Sequence, residues 1–208
     1  IADQYTSVAV VIVHPDTILN GPDAISSYFV SKGRKYNAIE NIFQEEANEA
    51  RGLSYAINQL TLLNNTIVKQ LVIWKEVDGK QQKEFEYRQT SPKQTALDTA
   101  EISNRRARWM ELCNAHQVSD LVNDLYSRNT MYFNHRPLVR GREALINEYG
   151  YMNYEKYSLR LNPLVVEAVN DSTVFEIGQC EGSYGGKYIL IWKKDEDGEW
   201  RIFIDSNI

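Results

Sequence analysis

The sequence predicts an α+β protein built as two tandem copies of one domain, and three observations carry the prediction. First, Lys187–Lys194 is rich in aromatic and β-branched residues and Asp197-Gly198 closes a turn. Trp200, Ile202 and Ile204 then alternate with Arg201, Phe203 and Asp205. That is a β-hairpin with one strand buried on both faces and one half-buried. Second, Gln70–Lys75, Asp78-Gly79 and Lys83–Tyr87 say nearly the same thing earlier in the chain. Third, four blocks recur in one order. Gly21-Pro22-Asp23-Ala24-Ile25 and Gly141-Arg142-Glu143-Ala144-Leu145 lie 120 positions apart, as do Tyr55–Gln59 and Phe175–Gln179. Trp74 and Trp192 are 118 apart, and Asp78-Gly79 and Asp197-Gly198 are 119 apart. The small differences fall in turns, where length varies most freely, and ordered blocks of this kind signal duplication.

Each copy reads as the same series of elements. A short strand (Val8–Val13; Thr130–Asn134) leads to a helix opened by glycine, with an acid in its first turn to meet the positive end of the helix dipole. A strand follows near Tyr36–Phe43 or Tyr157–Leu164, then one over Leu53–Leu62 or Thr173–Cys180, then the Trp hairpin. Asn64-Asn65, Asn170-Asp171 and Gly185-Gly186 mark turns. Ahead of the second copy, Ala100–Ala115 has helical spacing, with Trp109, Leu112 and Cys113 on one side and Arg105, Arg106, Arg108 and Glu111 elsewhere. Ser119 or Asp120 can cap a second helix over Leu121–Tyr126. Ile1–Tyr5 matches Val122–Tyr126, so the first copy has no counterpart of the Trp109 helix in the chain. Arg88–Thr99 carries Ser91-Pro92 and little apolar content. The expected division is a first domain over 1–88, a linker over 89–100 and a second domain over 101–208.

Composition excludes several classes. The 208 residues are 43% hydrophobic and 25% charged, an ordinary globular mix. The net charge of −5 argues against a general nucleic-acid or anionic-membrane surface, and no run of ~18 apolar residues is present to span a membrane. The chain opens at Ile1 with neither a Met nor a signal-like segment, so it reads as processed or cut from something longer. Cys113 and Cys180 make no framework, and free thiols are expected over a bridge. No His/Cys/Glu cluster has metal spacing, and no glycine motif for phosphate or dinucleotide and no Gly-x-Ser-x-Gly elbow occurs. No cofactor is implied.

A long helix, a short helix ending in Leu-Tyr, a short strand, a glycine-opened helix and a curved sheet ending in a Trp hairpin resemble the nuclear-transport-factor-2-like superfamily. Within it the likeness is to SnoaL-like and ketosteroid-isomerase-like proteins. It is carried by Trp109, Asp120–Tyr126, Gly141–Leu145, Ile189–Trp192 and Asp197–Ile202, and covers nearly all of 100–208 and 5–87 less completely. The resemblance implies cone-shaped domains, each a strongly curved antiparallel sheet wrapped around helices with a cavity between them. Gly178, Gly182, Gly185 and Gly186 can supply the bends in copy two, whereas copy one has Gly52 in that region. The superfamily includes isomerases, cyclases, dehydratases, binding modules and assembly domains, so fold does not fix activity.

Period-2 reading puts Phe175, Ile177, Gln179 and Glu181 on one face and Val174, Glu176, Gly178 and Cys180 on the other. A carboxylate on a cone's inner face would be desolvated, its pKa raised toward that of a useful acid or base. Glu176, Glu181 and Asp205 are the candidates, set against a solvated position for the glutamates and a loop hydrogen bond for Asp205. The resemblance favours Asp205, which lies where cyclase-like members hold an acid/base carboxylate, and Glu86 takes its place in copy one. Tyr126 ends the short helix and should point inward, where isomerase-like members use a tyrosine hydroxyl on a developing oxyanion; the alternative is a core tyrosine. His135 sits where the cone mouth should be, as a proton shuttle or as an exposed loop residue. His116 is expected to cap the long helix. Tyr149-Gly150-Tyr151-Met152-Asn153-Tyr154 reads as an aromatic lip or an interface. The candidate ligand contacts are Trp109, Tyr149, Tyr151, Gln179, Glu181 and Tyr188.

The expected function is therefore a pocket in the second domain for a small apolar or aromatic ligand, without nucleic acid or membrane as partner. The alternatives are a cofactor-free isomerase, cyclase or dehydratase with Asp205, Tyr126 and His135 at work, and an assembly module. Leu71 and Ile73, like Ile189 and Ile191, keep both sides of the Trp strands apolar. The two copies are accordingly expected to pair sheet to sheet within the chain, a homodimer of chains being permitted but not required.

Overall fold

The computed structural model describes residues 1–33, 35–92 and 98–207. The chain divides into two compact units, Ile1–Thr95 and Ala96–Ile208, each with its own six-stranded sheet.

The first unit runs β1 (Tyr5–Val13), β2 (Thr17–Asn20), α1 (Pro22–Lys32), β3 (Tyr36–Asn48), β4 (Leu53–Leu62), β5 (Ile67–Val77) and β6 (Lys80–Ser91). The second runs α2 (Ala100–Asn114), α3 (Val118–Leu125), β7 (Tyr126–Tyr132), β8 (Val139–Arg140), α4 (Arg142–Glu148), β9 (Leu159–Asn170), β10 (Thr173–Gly182), β11 (Lys187–Lys194) and β12 (Trp200–Asn207). The strand orders, β2-β1-β6-β5-β4-β3 and β8-β7-β12-β11-β10-β9, are the same order written twice. The sheets are mixed rather than purely antiparallel. The first long strand of each unit pairs parallel with the last, β1 with β6 and β7 with β12, because the meander between them brings the chain back alongside its own start.

Gly21 and Gly141 show why glycine opens α1 and α4. Both have positive φ, 78° and 81°, which a side chain rarely tolerates, and each donates its N–H at 2.8 Å to β1 or β7 (Ala9 and Thr130 carbonyls). Four local expectations are revised. Tyr126 begins β7 instead of ending α3, with extended dihedrals that turn its ring inward. The N-cap of α3 is Gln117, not Ser119 or Asp120. β6 continues to Ser91, since Gln89, Thr90 and Ser91 still pair with Lys69, Val68 and Ile67; part of the expected linker is strand, and its 93–97 stretch lies outside the described residues. Arg106 is buried along with Trp109, Leu112 and Cys113, not apart from them on α2.

α2 ends as its sequence suggests. His116 has a positive φ of 58°, its N–H bonds the Cys113 carbonyl at 3.0 Å, and Gln117 N–H bonds the Leu112 carbonyl at 3.0 Å. This is the double closure of a Schellman motif with histidine in the glycine position.

The sheets bend at bulges. In the second unit β10 slips against β9 at Ile177/Gly178, and β12 gains one residue, Phe203, against β11 between Ile191 and Trp192. The first unit repeats the latter bulge at Glu84, between Ile73 and Trp74, and bends β3 at three register shifts without glycine. The core of the second unit lies between β9–β12 and the helices: Trp109, Leu121, Leu125, Leu145, Trp192 and Trp200 are all buried there. That of the first gathers β1 against α1, through Val11, Ile25 and Phe29.

Candidate functional site

The bulge at Phe203 decides the site. Strict alternation would put Asp205 on the face opposite Ile202, but one extra residue brings it round to the side of Trp200 and Ile202. There the Asp205 carboxyl is 4% exposed. Its Oδ2 accepts the Tyr126 hydroxyl at 2.6 Å and the Tyr149 hydroxyl at 2.5 Å. Trp109 Nε1 donates to the Tyr126 oxygen at 3.0 Å, which orients that hydroxyl toward the carboxylate. Among the described residues no side chain donates to Oδ1. Burial pushes the Asp205 pKa up to about 6, against the pull of the two tyrosines and a Ser206 backbone hydrogen bond. Burial first, and Asp205 second, hold both tyrosines well above their ordinary range, so they remain donors.

Asp205 faces a cavity of about 20 Å³ shared with Trp109, Tyr149, Tyr151, Tyr188 and Asn207. That volume takes about one water. The rim is softer than the floor. Tyr151 is 42% exposed, Tyr157 and Tyr184 are half-buried, and Tyr149, Tyr151 and Tyr157 meet edge to face at 6.4 and 5.3 Å. Cys180 also lines the cavity, and burial pushes its thiol up to about 12, so it is no thiolate nucleophile. Cys113 and Cys180 are both free.

Beside this site lies a second buried carboxylate with a different role. Glu176 is fully buried, and Arg106 meets it with two bonds, Nε at 2.6 Å and Nη2 at 2.9 Å. Tyr188 and Trp192 donate to it at 2.8 and 2.9 Å. Four donors leave it no capacity for a ligand; it is a clasp between α2 and the sheet. Gly178 makes room for that clasp, since a Cβ there would sit 2.2 Å from the Tyr188 ring.

The structure thus joins Asp205, Tyr126, Trp109, Tyr149, Tyr151 and Tyr188. It does not bring the other sequence candidates to the cavity. His135 lies beyond the end of β7, packs on the Phe133 ring at 5.4 Å, and is not among the residues that line the cavity. Gln179 and Glu181 occupy the odd positions of β10, and it is the even ones, Val174, Glu176 and Cys180, that face the helices. Gln179 instead donates to the carbonyls of Cys180, Gly185 and Gly186, holding the β10–β11 turn. Glu181 pairs on the surface with Arg160, which holds its pKa below the usual value. Sequence reasoning missed Asn207 and the Arg106 clasp. Asn207 stands two residues beyond Asp205 on the same strand face, and Arg106 falls in the stripe Ile102, Arg106, Trp109, Cys113; both spacings are legible in retrospect.

The first unit places Glu86 as the second places Asp205, but surrounds it differently. Tyr5, the counterpart of Tyr126, donates at 2.7 Å, and Lys83 meets the same carboxylate at 3.2 Å, with Gln70 and Arg88 against its other oxygen. Asn58 and Gln70 take the places of Gly178 and Tyr188 and bond each other at 3.3 Å. Glu86 is thus a neutralised, filled position.

No family model matches the chain, and no curated protein does. Solved structures do. An NTF-2-like protein of unknown function from Shewanella oneidensis is 15% identical, covers 53% of this chain and 98% of its own, and has a TM-score of 0.48. A ketosteroid isomerase-like protein from Erwinia carotovora atroseptica is 13% identical over 52% of this chain and 92% of its own, at 0.44. ActVI-ORFA from Streptomyces coelicolor is 8% identical over 52% and 94%, at 0.43. Each covers about half of this chain.

Proposed function

We propose that the second unit is a small-molecule site whose working group is Asp205, taking a flat, largely apolar molecule with one polar edge. The observation that carries this reading is a buried carboxyl, held by two tyrosines and facing aromatic walls, with a pKa pushed up to about 6. The walls supply contact area, and Asp205 supplies a polar anchor. The 20 Å³ cavity means that a ligand larger than water enters by displacing the rim tyrosines, Tyr151 first, rather than by filling a standing void.

The same geometry favours a second reading, cofactor-free proton transfer. Above pH 6 Asp205 is a desolvated base, and Tyr126 and Tyr149 are preorganised donors that stabilise its charge and, if rotated, a developing oxyanion on the ligand. His135 has no part in it. The test is a screen of flat phenols and cyclic enones, read by tryptophan fluorescence and thermal shift. A hit should bind the wild type and lose binding in Asp205→Ala and in Tyr149→Phe. Proton exchange at an acidic C–H of a bound enone, lost in Asp205→Asn, distinguishes catalysis from binding. If compounds bind with no dependence on Asp205, both readings fall.

A further inference from the structure

We propose that the surface cleft between α3, β7, the start of α4 and the β11–β12 turn is a separate binding site, which takes an oxyanion, carboxylate or phosphate, of a small polar molecule on Arg128 and Arg142. The cleft measures about 580 Å³, in the range of ligand sites. It is walled by Arg128, Arg142, Arg201, Asp195, Glu196 and Asp197 with two asparagines, and no apolar side chain contributes.

The charges are not evenly matched within it. Arg201 is ion-paired through both terminal nitrogens: it bonds Asp195 at 3.2 Å and Asp197 twice at 2.7 Å, while its buried Nε has no hydrogen-bond partner among the described residues. Asp195 also accepts from Ser127 at 3.2 Å. Arg142 is half-buried and rests on a neutral group, the Tyr126 carbonyl, to which its Nε donates at 2.8 Å. Among the described residues neither Arg142 nor Arg128 has a carboxylate within ion-pair reach. Burial, then Arg201, holds the Arg142 pKa below its ordinary value, with Arg128 adding to the effect and Asp195 and Asp124 opposing it. A guanidinium pinned by a carbonyl, sharing the cleft with a second one and with no carboxylate in ion-pair contact, is preorganised for a planar or tetrahedral oxyanion. Glu196, exposed and also lining the cleft, would select against ligands that are anionic throughout.

The repeat gives an internal control. Ser7, Pro22 and Gln82 stand where the second copy has Arg128, Arg142 and Arg201. The backbone there is the same: the Ser7 and Arg128 carbonyls each lie 3.9 Å from the Cβ position of Gly21 and Gly141. The same backbone forms without the arginines, so the fold does not require a cation at the position of Arg128, which is exposed and makes no ion pair among the described residues.

The test is titration of the full chain with sodium phosphate and, separately, sodium acetate at fixed ionic strength, following arginine side-chain N–H resonances. Saturable shifts at Arg128 and Arg142 in the millimolar range are expected, with the stronger anion identifying the ligand class. Arg128→Ala should weaken binding about tenfold or more, as should Arg142→Lys, while Arg160→Ala changes nothing. Because Arg142 also steadies Tyr126, exposed Arg128 is the decisive position. Shifts that fail to saturate, shifts equal in size at Arg160, or full affinity in Arg128→Ala would overturn the proposal.

Discussion

Asp205 and Glu176 are both buried carboxylates, and their neighbours separate them. Glu176 has a guanidinium and two further donors, whereas Asp205 has only neutral hydroxyls. Its pKa therefore rises from 3.8 to about 6. Between those values the folded chain holds a proton that the unfolded chain has released. Stability therefore falls as pH rises from about 4 to 6, and the loss is complete above 6. Asp205→Asn should stabilise the chain at pH 7, by on the order of 1–3 kcal/mol, and by nothing near pH 4. Denaturant unfolding at the two pH values checks this, and an unchanged difference would mean that Asp205 is not desolvated. Tyr149→Phe removes a bond that favours the carboxylate, so the Asp205 titration, followed by carboxyl ¹³C shift, should move above 6.

At the scale of elements, α2 is held to β10 and β11 through the Arg106–Glu176 pair. Arg106→Ala leaves a buried charge without its partner and should cost about 3–5 kcal/mol. The double change with Glu176→Ala should cost markedly less than the two singles summed, because the first copy carries Ala56 at the equivalent position and needs no such pair. Gly178→Ala should destabilise by about 1–3 kcal/mol, since its Cβ drives the Tyr188 ring off Glu176. Chemical unfolding of these variants measures all three. A Gly178→Ala chain as stable as wild type would show that the ring moves freely and that the clasp is weaker than its geometry.

For the whole molecule, one fold surrounds its inward carboxylate in two ways. In the first unit the inward carboxylate is met by Lys83 and Arg88 and closed off; in the second it faces a cavity. Ligand effects should therefore map to Trp109, Tyr149 and Asp205, and not to Tyr5 and Glu86. Sheet-to-sheet pairing of the copies remains a proposal from the apolar outer positions Leu71, Ile73, Ile189 and Ile191. Its check is to express 1–95 and 96–208 separately: pairing predicts halves that are less stable than the intact chain and self-associate in sedimentation. A monomeric second half as stable as the parent would remove the idea.

By itself the sequence determined the duplication, the strand and helix order of each copy and the two glycine-opened helices. Those signals are local: a Trp strand, an Asp-Gly turn or a Gly before an acid states its structure within a few residues, and an offset near 120 repeats it. It also picked out Asp205, Tyr126, Trp109 and Tyr149. Tertiary structure alone decided which face of β10 points inward, and so set aside Gln179 and Glu181, because period-2 alternation is symmetric until helices cover one side. It alone turned Asp205 inward, through a one-residue bulge whose position depends on the partner strand. And it alone paired Glu176 with Arg106, 70 residues away, since which two charges meet across a core is fixed by packing and not by spacing along the chain.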